Sequence, residues 1–168
     1  MRNIKSKQSI EEFAANFLDE KKLTAFLNMN AFLVGHKFRR VRSGKSTWSI
    51  KYKNKRICTL WFWENRWALV CFNLSKQDEW FERGEKYISA ELREFILDNL
   101  NTARSCCVQK YCNSVENVLI LGKMITCRVC SCGPVKVFNP EGAALEYTKE
   151  LILVGAKIIT EKIECGIE

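Results

Sequence analysis

The chain has 168 residues, 47% of them hydrophobic, with five Trp and ten Phe, which is enough apolar surface for one substantial core and excludes a disordered or fibrous protein. Lys and Arg number 27 against 19 Asp and Glu, and the net charge of +8 favours anionic partners without naming one. No apolar run reaches the roughly 20 residues of a bilayer span, and "MRNIKSKQSIEEF" puts an acidic amphipathic segment where a signal peptide needs an apolar one. No membrane partner and a cytoplasmic location are therefore expected.

Ser9 and Glu12 stand at capping-box spacing, and Ile10, Phe13, Ala14, Phe17 and Leu18 follow at helical spacing, which predicts a first helix. Leu23, Phe26, Leu27 and Phe32 form a second helical stripe whose end Asn28 and Asn30 leave open. The period then changes. Trp48, Ile50 and Tyr52 alternate with Ser49, Lys51 and Lys53, predicting a strand with one wet face that turns at Asn54. Residues 56–63 and 67–72 are apolar on both faces and are separated by Glu64, Asn65 and Arg66, so they predict two more strands of an antiparallel meander, covered on both sides.

Ser75 offers a helix start before Trp80 and Phe81, and Ser89 a cap for a helix with Leu92, Phe95, Ile96 and Leu100 on one side. Short strands are expected at 118–121 and 124–129, broken at Gly122, and at Val135–Phe138. Asn139, Pro140 and Glu141 supply an N-cap, a first-turn proline and a first-turn carboxylate for a last helix carrying Ala144, Leu145, Thr148, Leu151 and Ile152. The expected fold is α+β: an antiparallel β-meander with N-terminal helices, two following helices, a cysteine-rich β segment and a C-terminal helix. No repeat or linker divides the chain, so residues 1–168 read as one domain, with a soft transition near 103 and a cysteine-rich segment over 103–138.

Six of the nine cysteines lie between Cys106 and Cys132. A structural zinc site needs about four thiolate or imidazole ligands, in pairs a few residues apart. Cys127 and Cys130 form such a pair, Cys107 and Cys112 are its partners, and Cys106 and Cys132 are alternates. The same Cys127/Cys130 pair suits a dithiol that cycles to a disulfide, with Arg104, Lys110 and Arg128 supplying positive charge. Small apolar packing is the third reading, and it fits Cys58 and Cys71 in the apolar strands best.

The run from Leu92 onward, through "ILGKMITCRVC" and then "VKVFNPEGAALEYTKELI", resembles the ends of a group of small bacterial proteins of uncharacterised function. Their tails pair a cysteine-rich loop with a Gly-Lys…Cys strand and an Asn-Pro-capped last helix. Cys107, Cys112 and Cys127 match that pattern, as do Gly122, Lys123, Asn139 and Pro140, while the vicinal Cys106 departs from it. The front part is similar in layout to YjbR/YdhG-type α+β domains. The resemblance implies a fold class and an accessory role, and no known reaction.

Trp48, Trp61, Trp63 and Trp67 cluster in the meander, which suggests either core packing or an aromatic pocket for a flat or cationic small molecule, with Glu64 as counter-charge. Lys37, Arg39, Arg40, Arg42, Lys45, Lys51 and Lys53, with Lys55 and Arg56 beyond, offer a basic strand face suited to nucleic acid; the plainer reading is a solvated, edge-protecting face. No motif asks for catalysis: His36 has no Ser or acidic neighbour, the glycines are scattered, and no carboxylate pair stands out. The sequence therefore predicts a binding or accessory protein with a zinc-type cysteine site and an aromatic ligand pocket. Nucleic-acid binding through the basic face and thiol redox chemistry at Cys127/Cys130 are the alternatives, and the ligand or protein partner is unspecified.

Overall fold

Ser9 opens α1 (Ile10–Ala15) with a reciprocal cap: its hydroxyl accepts from the Glu12 N–H at 3.1 Å, and the Glu12 carboxylate accepts from the Ser9 N–H at 2.9 Å. Such a cap contributes about 1 kcal/mol by satisfying two orphan donors. The computed structural model describes residues 8–71, 77–100, 115–128 and 135–166. Asp19 caps α2 (Glu20–Gly35), accepting from the Lys22 N–H at 3.0 Å. This helix runs through Asn28 and Asn30 to a C-cap at His36. Asn30 does not break it because its buried amide has tertiary partners, donating to Glu11 at 2.7 Å and accepting from Arg40 at 2.6 Å.

Four strands follow as a meander: β1 (Arg39–Arg42), β2 (Thr47–Tyr52), β3 (Lys55–Trp63) and β4 (Arg66–Cys71). Two of the connections are two-residue turns, Lys53-Asn54 and Glu64-Asn65, with both residues of each at positive φ. That is the turn form whose twist matches a hairpin. Asn65 is also held in place from outside, since its side-chain oxygen accepts from the Asp19 N–H at 2.9 Å.

The chain continues through α3 (Gln77–Gly84), a single 3₁₀ turn (Glu85–Tyr87), α4 (Ala90–Asp98), a separate hairpin of β5 (Val115–Ile120) and β6 (Lys123–Arg128), then β7 (Val135–Phe138) and α5 (Gly142–Glu164). β7 pairs antiparallel with β4, giving a five-stranded sheet of order β1-β2-β3-β4-β7. The α+β meander with flanking helices is thus present, and the strands expected around Gly122 are the β5–β6 hairpin. Among the described residues no helix is long and apolar enough to cross a membrane.

The last helix starts later than the sequence pattern implies. Asn139 does not cap it; Glu141 is the N-cap and Gly142 the first helical residue. Asn139 instead closes the sheet. At φ 39° it donates its backbone N–H to the Trp67 carbonyl at 2.8 Å, and its side chain accepts from the Trp67 N–H, also at 2.8 Å.

Strand alternation sends Ile50, Trp48, Cys58, Leu60, Phe62, Trp67, Leu69, Cys71, Val135 and Val137 to one side of the sheet, and all of these are buried. Phe13 of α1, Phe17 in the turn after it and Phe26 of α2 meet Trp48, Phe62 and Trp67 there, with ring centroids 5.0–5.9 Å apart in edge-on contacts. Helix α5 crosses the same side, and its Gly155 permits the approach: a Cβ there would stand 2.7 Å from Ile57 Cγ2 and 3.3 Å from the Trp80 ring. Ile57 reaches α5 because a bulge between Ile50 and Lys51 of β2 leaves it as the extra residue of β3.

Candidate functional site

The side of the sheet away from these helices holds the other half of the alternation. Cross-strand pairing places Trp61, Ala68 and Phe138 in one row and Trp63 beside Arg66 in the next. They frame a cleft of about 410 Å³ lined by Trp61, Trp63, Arg66, Trp67, Ala68, Lys136 and Phe138. Trp63 is 49% exposed and Phe138 42%, so two large rings stand open at its mouth, whereas Ala68 forms a buried floor between them. The small floor residue is what makes the surface concave.

The cleft has its own charges. Lys136 is only 7% exposed, and its ammonium lies 4.6 Å from the Phe138 ring centroid and 5.4 Å from that of Trp61. Arg66 is exposed and makes no ion pair among the described residues. Trp61 Nε1 and Trp67 Nε1 are buried without a hydrogen-bond acceptor. A buried donor left unmet costs about 1–3 kcal/mol, and of the two only Trp61 has its ring on the cleft side of the sheet.

Of the pocket residues expected from sequence, Trp61, Trp63 and Trp67 come together here. Trp48 does not. It pairs with Leu60 on the helix-covered side and is buried against Phe13 and Phe62, because its strand register gives it the opposite parity to Trp61. Glu64 also stays outside, in the exposed two-residue turn with φ 46°. Lys136, Phe138 and Arg66 were missed by the sequence reading. Lys136 and Phe138 lie far along the chain and reach the site only through β7 pairing, although the Lys-Val-Phe alternation does signal that they share a face.

The basic residues are divided by the same parity. Arg40 and Arg42 pair with Ile50 and Trp48 on the helix side. Arg40 binds Glu11 at 2.6 Å, and Arg42 stacks over Phe13 and Trp48 at 5.7 and 5.2 Å. Burial alone raises the Glu11 carboxyl, but hydrogen bonds from its own backbone, Asn30 and Arg40, with the Arg40 charge, outweigh it and hold the group below its ordinary range. Arg39 and Lys51 face the other way as direct partners, and Lys51 is in turn opposite Arg56. Lys37 and Lys45 are exposed in connections, and Lys53 sits in a turn with its ammonium over Tyr52. The expected single basic face is therefore two sets, and one of them is committed to packing.

Cys106, Cys107, Cys112, Cys130 and Cys132 lie outside the described residues, while Cys127 lies on β6 opposite Glu116. Among the described residues no group of three or more His, Cys, Asp or Glu could hold a metal. Cys58 and Cys71 are free thiols, buried and directly paired across β3 and β4. A hydrogen bond with Cys71, burial and the neighbouring thiol push Cys58 well up, so this pair is the unreactive packing kind. His36 is an exposed helix-end residue whose ring nitrogen sits 3.0 Å from the Phe32 carbonyl.

Compared with protein-family models, curated proteins and solved structures, the chain finds no match in any of the three.

Proposed function

We propose that this protein binds a flat, non-cationic ligand in the cleft formed by Trp61, Trp63, Ala68 and Phe138. The observation that carries the reading is the concave row of aromatic rings over an alanine floor, with two rings half exposed. Such cavities bury a ring between apolar walls and orient it with a few polar groups. The polar groups available are Arg66 at the rim and the indole N–H donor of Trp61. A cationic guest is disfavoured because the faces of Trp61 and Phe138 already contact the Lys136 ammonium.

The test is a tryptophan-fluorescence titration with naphthoate and with a naphthyl trimethylammonium ion of matched size. Saturable quenching by naphthoate, weak quenching by the cation, and loss of the response in Trp63→Ala support the reading. Equal response to both probes, or none to either, removes it.

The cysteine segment enters this proposal as a structural clip: Cys107, Cys112, Cys127 and Cys130, with Cys106 and Cys132 as alternates, hold one zinc ion. Its support is the ligand spacing. Anaerobically purified protein is then expected to carry about one zinc per chain, with about four thiols becoming reactive only in chelator. Metal-free protein with a reversibly reducible Cys127–Cys130 bond would favour thiol chemistry instead.

A further inference from the structure

The cleft shares its side of the sheet with a second feature. Arg39, Lys51 and Arg56 occupy one cross-strand row over β1, β2 and β3, so three cations stand directly opposite one another. Direct cross-strand partners have Cβ atoms about 4.5–5.5 Å apart, and like charges at that separation repel. Among the described residues no carboxylate relieves the row: Arg39 donates to the neutral Asn54 side chain, at 2.6 Å, and neither it nor Lys51 nor Arg56 makes an ion pair. The contrast with Arg40, which has the opposite parity and is ion-paired to Glu11, shows that the fold can neutralise an arginine of this strand where charge is not wanted.

Strand geometry sets the spacing of the two features. From Arg56 to Trp61 the chain of β3 covers roughly 15 Å at about 3.3 Å per residue, less the bulge. Val41, Ser49 and Thr59 fill the row nearest the cations, all uncharged. One side of one sheet thus carries a cation row at one end and, at the other, exposed rings beside Arg66, which makes no ion pair among the described residues. Backbone charge and unpaired base are the two things a single strand of nucleic acid presents, and a single nucleotide is too short to reach both.

Resting on the cleft reading above, we infer that the ligand class is single-stranded nucleic acid, with a base seated against Trp63 and Phe138 and the phosphates of nucleotides further along the strand on Arg39, Lys51 and Arg56. Stacking on open aromatic rings supplies affinity with little sequence preference, and the cations supply a salt-dependent contribution.

Binding of fluorescein-labelled oligo(dT) and oligo(U) to the full chain by anisotropy, between 50 and 200 mM salt, tests this. For three phosphate contacts on a single strand, affinity is expected to fall roughly 20-fold over that range. The triple variant Arg39→Gln, Lys51→Gln, Arg56→Gln is expected to flatten the salt dependence, and Trp63→Ala to weaken binding about 5- to 150-fold at fixed salt. Trp63→Phe, which keeps a ring, is expected to restore most of the loss and so separates stacking from a folding defect. A preference between the two oligomers assigns the natural strand as DNA or RNA.

No binding of either oligomer at 50 mM salt overturns the inference, and if naphthoate still quenches, the cleft itself stands as a small-molecule site. Equal affinity for polyglutamate, or a triple variant with unchanged salt dependence, also overturns it, because the cation row would then have no specific role in gripping a strand.

Discussion

The two sides of the central sheet come from the same strands, residue by residue in alternation, yet they are built for different ends. On the side facing α1, α2 and α5, Trp48, Leu60, Phe62, Trp67 and Leu69 are almost fully buried, and even the arginines are tied down, Arg40 to Glu11 and Arg42 over two rings. On the other side Trp63 and Phe138 are half exposed, and Arg39, Lys51 and Arg56 lie in a row that no carboxylate among the described residues pairs with. A tryptophan or an arginine in this chain has no fixed meaning; its parity in the strand decides whether it is packed under the helices or left open.

Exchanging a single ring on each side gives the largest test. Trp67→Ala is expected to cost about 3–5 kcal/mol in denaturant unfolding, because it empties a fully buried site beside Phe26. Trp63→Ala should change stability by less than about 0.5 kcal/mol. Comparable losses would mean that the open side is also core.

A smaller effect sharpens the covered side. Gly155→Ala is expected to destabilise by about 1–3 kcal/mol, since the added methyl meets Ile57 and the Trp80 ring and the helix must move outward. A variant as stable as the parent would show that α5 is not seated against Ile57.

The arginines of β1 offer a matched pair within one strand. Arg40→Gln should cost about 1 kcal/mol, discounted for the partial exposure of the pair. Arg39→Gln should be neutral or stabilising by a few tenths of a kcal/mol, because it relieves like-charge opposition. Thermal melts at low salt would separate the two, and a larger loss for Arg39 would invert the assignment.

Acid has the mildest effect. The Glu11 carboxyl is held below its ordinary value of 4.5, so its contribution is complete above that value and is lost as pH falls through the lower folded value. Glu161 behaves alike, held down by hydrogen bonds from Lys86 and Tyr87. Melting temperature should therefore be flat from neutral pH to about 5 and fall below it. Glu11→Gln should flatten part of that fall, and an unchanged acid limb would remove Glu11 from the account.

Much of this architecture was legible in the chain because it is local. The caps at Ser9 and Ser89, the alternation around Trp48 and the turn at Asn54 each depend on neighbours within a few residues, and each is present. The cleft was half legible. Trp61 and Trp63 share parity within one strand, so their common face follows from period two. Trp48 was misplaced because register between strands is a tertiary property, and a shift of one residue exchanges the faces. Asn139 fits a helix cap because Asn-Pro-Glu matches that local pattern, but the αL conformation Asn tolerates serves equally to end a strand, and pairing with Trp67 decides between the two.

β7 reaches its place in the sheet from beyond residues 72–134, whereas β1 to β4 fold back on one another through short turns. Loop closure makes such distant pairing the slow, late event in assembling a sheet. Phe138 and Lys136 belong to that late strand, so the cleft has one wall missing until β7 has docked on β4. A ligand bound there as proposed would bind only the finished sheet, and by mass action would clamp the last strand to the first four.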